Sequence, residues 1–214
     1  VDGLLGAGKV AISPDGKNIY AAGNNEDAVA VFDRNSSTGR LTWREVHKDG
    51  VDSVDGLDAV WTISVSPDGE NVYAAGFSDN AIAVFERNTS TGALEFLDVI
   101  KNTDVGVSGL YYPYEVTVSP DGNNVYVAAQ GSHSITVFDR NSSTGLLTFN
   151  ELHPRSGGVV DAYSTYGARS VTVSPDGNNV YSAALTGDAM GAFSRNSSTG
   201  KLTYLGYKRD TNYL

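Results

Sequence analysis

The 214-residue chain contains no cysteine, so neither disulfides nor thiolate-bound metals contribute to its fold. No apolar run approaches the roughly 18 residues needed to cross a bilayer, and we expect no membrane span. Basic residues are scarce, with 15 against 25 acidic ones, and the formal net charge of −10 argues against nucleic acid as a partner. The chain begins at Val1 and has no signal-peptide pattern, which favours a processed secreted or periplasmic protein or part of a longer chain.

One segment of the chain is repeated four times with small changes. The turn sequence Ser-Pro-Asp-Gly begins at Ser13, Ser66, Ser119 and Ser174, so successive repeats are 53, 53 and 55 residues apart. Each of these serines is followed seven residues later by a tyrosine, and a phenylalanine stands twelve residues after that tyrosine, just before a second turn such as RNSSTG. Because each recurs at one position of the repeat, we expect these tyrosines and phenylalanines to be packing residues. All differences in repeat length fall between that phenylalanine and the next Ser-Pro-Asp-Gly.

Each repeat predicts four short strands, named a to d. In the third repeat these are Val116–Ser119, Asn124–Ala129, Ser134–Arg140 and Leu146–Leu152. Proline and glycine in the first turn, and asparagine, serine and glycine in the second, are typical of tight hairpins. A repeated four-stranded antiparallel unit of about 50 residues indicates a β-propeller, an all-β fold. We expect one domain whose four blades span residues 1–53, 54–106, 107–161 and 162–214.

The motifs SPDGxNVY and FxRNxSTGxL resemble those of the lactonase-like β-propellers, the group that contains 6-phosphogluconolactonase. The resemblance extends over the whole chain, once per blade. It implies a lactonase or related hydrolase. Lactonase-like propellers have seven blades, whereas this chain encodes four. The chain would therefore close as a four-bladed ring or form half of an eight-bladed ring with a second chain. Either arrangement favours a homo-oligomer, because an unfastened ring leaves a strand edge to cover.

The two edges of each blade differ in how closely they are copied. The a–b and c–d turns share one edge and are nearly identical in all four repeats. The b–c loops and d–a links share the other edge and differ in every repeat. Repeat proteins usually bind partners where the repeats vary, so we expect the binding site on this variable edge.

The candidate ligand-binding residues on the variable edge are mostly aromatic or charged. They are Lys9, Trp61, Phe77, Tyr111, Tyr112, Tyr114, Glu115, His133, Tyr163, Tyr166 and Arg169. Four positions align just before the turn serines, where the blades carry Gly8, Trp61, Tyr114 and Arg169. Aromatic rings edged with charges can hold a carbohydrate, or an aromatic or extended apolar small molecule.

Three functions are compatible with this pattern. The first is a non-enzymatic ligand-binding propeller, for which no catalytic residue is assigned. The second is a lactonase-type hydrolase, in which Lys9 and Arg169 hold an anion and Glu115 or His133 acts as the base. The third is a structural or assembly module, in which the aromatic residues are buried in an interface.

Two further patterns have ordinary structural explanations. The loop KDGVDSVDGLDAV carries Asp49, Asp52, Asp55 and Asp58, and calcium is the one cofactor it suggests, although a solvated acidic loop also accounts for it. Sequons for N-glycosylation begin at Asn35, Asn88, Asn141 and Asn196, where turn formation alone explains asparagine.

Overall fold

The computed structural model describes residues 1–155 and 163–210. Its strands form four antiparallel sheets, and in each sheet four consecutive strands are hydrogen-bonded in chain order. This is the predicted blade, present four times. A single turn of 3-10 helix, Asn24–Glu26, lies between the second and third strands of the first blade. No helix in the described ranges has the length and apolar character required to cross a membrane.

The first two blades contain strands β1 to β8. Those of the first blade are β1 (Ala7–Ile12), β2 (Asn18–Gly23), β3 (Ala28–Arg34) and β4 (Leu41–Lys48). Those of the second are β5 (Val60–Val65), β6 (Asn71–Gly76), β7 (Ala81–Arg87) and β8 (Leu94–Lys101).

The last two blades contain strands β9 to β16. Those of the third blade are β9 (Pro113–Val118), β10 (Asn124–Ala129), β11 (Ser134–Arg140) and β12 (Leu147–Pro154). Those of the fourth are β13 (Ala168–Val173), β14 (Asn179–Ala184), β15 (Ala189–Arg195) and β16 (Leu202–Arg209). The prediction started the inner strand of the third blade at Val116, but pairing extends back to Pro113 through a β-bulge.

The chain divides into two compact units of two blades each. The first unit comprises Val1–Lys101 and Ser142–Leu146, and the second comprises Asn102–Asn141 and Leu147–Leu214. Within each unit, one face of the leading blade packs against the facing side of the next. The first core contains Tyr20 and Phe85, and the second contains Tyr126 and Phe193.

The copied turns are closed by their own side chains. Ser13 Oγ donates to Asp15 and accepts from the backbone N–H of Asn18, and Gly16 adopts a φ of 69° that favours glycine. The second turn is capped by Asn35, whose side-chain oxygen accepts the N–H groups of Ser37 and Thr38. Capping therefore explains the asparagine of the sequons, and glycosylation remains a prediction.

A buried arginine joins the two blades of the first unit. Arg87 Nε donates to the Tyr20 hydroxyl at 2.6 Å, and its Nη2 donates to Asn18 Oδ1 at 2.7 Å and to the Asp15 carboxylate at 3.2 Å. The Tyr20 hydroxyl in turn donates to the carbonyl of Gly92 at 2.9 Å. We call this set of contacts the inter-blade joint.

The second unit repeats the inter-blade joint. Arg195 contacts Asp121, Asn124 and Tyr126 at 2.8, 2.7 and 2.8 Å, and the Tyr126 hydroxyl donates to the carbonyl of Gly200 at 2.7 Å. Burial raises the pKa of Tyr126 to about 12, as it does for Tyr20 in the first unit, so both hydroxyls stay protonated as donors. Hydrogen bonds from a guanidinium to a carboxylate are charge-assisted and stronger than those between neutral groups.

One of the four repeated tyrosines differs from the sequence-based expectation. All four tyrosines were expected to be packing residues, and Tyr20, Tyr73 and Tyr126 are indeed fully buried. Tyr181 is 39% exposed. The expectation was therefore wrong for Tyr181.

Candidate functional site

The four aligned residues before the turn serines occupy a shared structural position. Gly8, Trp61, Tyr114 and Arg169 each lie in the break of register where the inner strand of their blade pairs with its neighbour. A β-bulge leaves one residue outside the ladder and redirects its side chain. This position carries a different residue in every blade, and in each blade the bulge takes it out of the regular strand pairing.

In the second unit, two of these bulge residues contact each other. The guanidinium carbon of Arg169 lies 4.6 Å from the centre of the Tyr114 ring, a cation–π contact. The next residues along the strands are also paired, since Ser170 Oγ donates to Glu115 Oε2 at 2.6 Å. Strands β9 and β13 thus bring a carboxylate, a hydroxyl, a ring and a guanidinium to one place.

A histidine and a second arginine frame the same edge. His133 lies in the b–c loop of the third blade with a φ of 53°, and its ring is 4.8 Å from that of Tyr166. The backbone N–H of Gly167 donates to His133 Nδ1 at 3.1 Å, so the neutral ring carries its proton on Nε2. The guanidinium carbon of Arg155 lies 3.9 Å from the centre of the same Tyr166 ring.

A third arginine completes the set. The guanidinium carbon of Arg209 lies 3.9 Å from the centre of the Tyr163 ring, which also packs beside Tyr207. In the described part of the chain, the Nε atoms of Arg169 and Arg209 are buried and have no hydrogen-bond partner. Three stacked arginines make this edge locally basic in a chain whose net charge is −10. We call Tyr114, Glu115, His133, Arg155, Arg169 and Arg209, with their stacked tyrosines, the arginine–tyrosine edge.

Sequence analysis missed Arg155, which follows β12, and Arg209, which is the last residue of β16. For Arg209 a signal was available, because it aligns with Lys48 and Lys101 at the ends of the outer strands of the first two blades. Those lysines pair with carboxylates, Lys48 with Glu26 and Lys101 with Asp55. At the equivalent position of the fourth blade, Arg209 stacks on a tyrosine ring instead.

Tyr111 and Tyr112 are exposed on the same edge of the third blade. Tyr112 has a φ of 55°, at the position where the first and fourth blades carry Gly6 and Gly167. A bulky residue in the left-handed region is strained and persists only where neighbours hold it. Here the carbonyls of Tyr111 and Tyr112 accept hydrogen bonds from the backbone of residues 130–132.

The remaining predicted residues belong to the first unit. Trp61 is partly exposed at its bulge, Lys9 is exposed on β1, and Phe77 is partly buried in the b–c loop of the second blade. The structure therefore groups eight of the eleven predicted residues in the second unit, and the role of all eleven in ligand binding remains a prediction.

The acidic loop contributes to a carboxylate cluster in the first unit. Asp49 and Asp55 come together with Asp79, whose oxygens all lie within 4.8 Å of one another. Burial, followed by the neighbouring carboxylates Asp79 and Asp55, raises the pKa of Asp49. The Asp49 and Asp79 carboxylates accept backbone N–H groups and Asp55 accepts Lys101, so structural contacts account for the cluster. Calcium binding remains a hypothesis, now involving Asp79 in place of Asp52 and Asp58.

Comparison with known families identifies the repeat. A family model described as "Lactonase, 7-bladed beta-propeller" matches residues 1–99 and 52–161, which together cover more than half of the chain. The chain belongs to this lactonase family. Membership confirms the resemblance seen in the turn motifs, and it favours the hydrolase among the three functions suggested by the sequence.

Individual lactonase-family relatives are distant. A 6-phosphogluconolactonase of Klebsiella pneumoniae (strain 342) is 23% identical over 154 residues, covering 72% of this chain and 45% of the relative. A 6-phosphogluconolactonase of Formosa agariphila is 34% identical over 89 residues, covering 40% of this chain and 23% of the relative. The chain thus spans less than half the length of these curated relatives.

Solved structures share the fold at low identity. The periplasmic gluconolactonase PpgL of Pseudomonas aeruginosa superposes with a TM-score of 0.73 at 20% identity, covering 94% of this chain and 53% of that one. A protein from Lactobacillus plantarum gives a TM-score of 0.76 at 22% identity, covering 95% and 55% of the two chains.

Proposed function

We propose that this chain hydrolyses the ester bond of a sugar lactone that carries an anionic group. Membership of the lactonase family supports the reaction class. The observation that carries the proposal is a pair of neighbouring contacts between the inner strands β9 and β13. Ser170 donates a hydrogen bond to the Glu115 carboxylate, and the Arg169 guanidinium stacks on the Tyr114 ring. The non-enzymatic binding function, preferred on sequence alone, explains the aromatic rings but gives the carboxylate no task.

Lactone hydrolysis needs a base to activate water and a cation to receive negative charge. In the proposed mechanism, Glu115 takes a proton from water as the water oxygen attacks the lactone carbonyl. The tetrahedral intermediate then breaks its bond to the ring oxygen, and Glu115 returns the proton to that leaving oxygen. Water is consumed, one ester bond is broken, and an open hydroxy acid is formed.

The arginines suggest what the substrate carries. A planar guanidinium binds carboxylate or phosphate through two parallel hydrogen bonds, and stacking on a ring holds it in orientation. Arg155, Arg169 and Arg209 would each present such a fork to an anionic substituent, while the tyrosines pack against the sugar ring. The basic edge thus offsets the acidic charge of the whole chain, which would otherwise repel an anion.

The relatives are consistent with this proposal. Two of them are called 6-phosphogluconolactonase, whose name specifies a phosphorylated lactone, and one solved neighbour is called a periplasmic gluconolactonase. A periplasmic or secreted location for this chain is proposed on the same basis.

The proposal is tested by measuring lactone ring opening by the purified 214-residue chain. Acid release at constant pH would be followed with 6-phosphoglucono-δ-lactone and, as the matched neutral substrate, glucono-δ-lactone. We expect hydrolysis above the spontaneous rate and a higher kcat/KM for the phosphorylated lactone. Rates equal to those of heat-inactivated protein on both lactones would refute the proposal.

A further inference from the structure

One position of the repeat has a backbone suited to glycine but carries a tyrosine in the third blade. It lies two residues before the bulge, and the four blades have Gly6, Ala59, Tyr112 and Gly167 there. The φ angles at these residues lie between 51° and 72°, in the left-handed region. A bulky side chain in that region is strained and persists only where the surrounding structure holds it. Tyr112 is therefore the member of this set that needs an explanation.

The b–c loop of the third blade makes room for this tyrosine. A Cβ on Gly131 would come within 2.6 Å of Tyr112 Cδ2, so the ring lies against the bare backbone of that glycine. The first and fourth blades have the reverse arrangement. Their link residue is glycine, and the loop side chain that a Cβ on it would meet is Asn25 or Thr186. Large and small residues have thus exchanged places in the third blade.

The exchange presents an aromatic ring to solvent from a rigid support. Tyr112 is 46% exposed and the neighbouring Tyr111 is 53% exposed. The backbone N–H of Gln130 donates to the Tyr112 carbonyl, and that of Tyr111 donates to Ser132 Oγ, both at 2.9 Å. Two other blades close the same corner with a glycine and a polar side chain, so packing alone does not require a tyrosine here.

Tyr112 is connected to the arginine–tyrosine edge on two sides. The loop that supports it continues to His133, two residues after Gly131, and the His133 ring lies 4.8 Å from that of Tyr166. In the other direction, Glu115 follows Tyr112 by three residues, which is roughly 10 Å of extended chain and a span that two linked sugar rings can bridge. The exposed ring therefore lies beside the proposed reaction site, beyond the lactone ring that Glu115 would contact.

An exposed tyrosine ring recognises a different part of a substrate from an arginine. The negative face of the ring attracts the C–H groups on one side of a sugar ring, while the sugar hydroxyl groups remain free to bond water or polar side chains. This contact needs no charge on the ligand. A guanidinium instead requires an anionic group. Tyr112 and the arginines would therefore contribute independently to substrate selection.

We propose that Tyr112 is a specificity-determining residue that stacks on a second sugar ring, the one linked to the lactone ring at Glu115. The substrate class is then the lactone of a disaccharide acid. This inference rests on the proposed function, because that function places the lactone ring at Glu115. It adds the part of the substrate that lies beyond the lactone ring, which the arginine contacts do not define.

The test compares two neutral lactones that differ only in the second ring, cellobiono-δ-lactone and glucono-δ-lactone. For the wild-type chain, the KM for cellobionolactone is expected to be about 3- to 10-fold lower, the range of a single ring-stacking contact. Tyr112→Gly should abolish this ratio by raising the KM for cellobionolactone. Glycine suits the φ of 55° at this position, so the midpoint of urea unfolding should not fall.

Two further variants are matched controls. Ala59→Gly makes the same kind of backbone change at the equivalent position of the second blade, where φ is 51°, and should keep the wild-type KM ratio. Tyr112→Phe retains the ring without its hydroxyl and should keep the ratio as well. A role for Tyr112 in holding the loop alone would instead lower the urea midpoint of Tyr112→Gly and affect both lactones equally.

Equal KM values for the two lactones in the wild type would overturn the inference, and so would a ratio that survives in Tyr112→Gly. If neither lactone is hydrolysed, the proposed function fails on its own, and Tyr112 is then tested by binding. Calorimetry with cellobionate, the open acid, should show wild-type binding about 3- to 10-fold tighter than that of Tyr112→Gly. Equal binding by the two proteins, or none by the wild type, would refute the role of Tyr112.

Discussion

Replacing Glu115 by glutamine is expected to lower kcat for lactone hydrolysis by about 10²- to 10⁴-fold, the usual contribution of a general base. Glutamine keeps the shape of the side chain and can still accept the hydrogen bond of Ser170, which lies at 2.6 Å in the wild type. It cannot take a proton from water. The loss should therefore appear in kcat, with KM changed much less, as expected when a transition-state interaction is removed.

The control for this variant is Glu95→Gln, which changes an exposed glutamate of the first unit. We expect its kcat and KM to match those of the wild type. Arg169→Ala should instead raise KM for the phosphorylated lactone more than for the neutral one. A Glu115→Gln variant with full activity would exclude this residue as the base.

Replacing Arg87 by alanine is expected to lower the free energy of unfolding of the first unit by about 3 kcal/mol. The side chain is 2% exposed and contacts Asp15, Asn18, Tyr20 and the carbonyl of Gly69. Its removal leaves the Asn18 oxygen and the Gly69 carbonyl buried without a donor. Denaturation in urea, followed by the midpoint at unchanged slope, measures the loss.

Arg40→Ala is the control for the Arg87 variant, since Arg40 is exposed in a turn and its removal should cost less than about 0.5 kcal/mol. Equal effects in the two variants would show that the inter-blade joint does not stabilise the unit.

Acid should weaken the same joint. Although burial raises it, hydrogen bonds from Ser13, the Lys17 backbone and Arg87 hold the pKa of Asp15 at about 2. Stability from this group is thus present above the ordinary pKa near 4 and lost as the pH falls toward 2.

The fold was predictable because turn residues and strand patterns recur at the same positions of each repeat. Four Ser-Pro-Asp-Gly turns and their following tyrosines fixed the number, order and pairing of the strands, since both signals depend on local backbone geometry. The aligned position of Trp61, Tyr114 and Arg169 was also found by counting back from the turn. What counting could not show is that this position is a bulge, because register depends on the partner strand.

The candidate site was only partly predictable. Tyr114, Glu115, Tyr163, Tyr166 and Arg169 were selected as residues that the repeats do not share. Arg155 and Arg209 were missed, because a cation over a ring is a tertiary contact between segments far apart in sequence. The exposure of Tyr181 was missed for a related reason. Burial of a repeated residue depends on the blade that packs against it, and the sequence of one blade does not show how closely a neighbouring blade packs.

The central claim is that the copied turns are scaffold and that function lies on the arginine–tyrosine edge. Amide hydrogen exchange with saturating 6-phosphogluconate, the product of the proposed reaction, tests it most directly. The proposal predicts slower exchange in residues 109–115 and 163–170, and unchanged exchange in the four Ser-Pro-Asp-Gly turns. Protection of those turns, or no protection on the arginine–tyrosine edge, would contradict it.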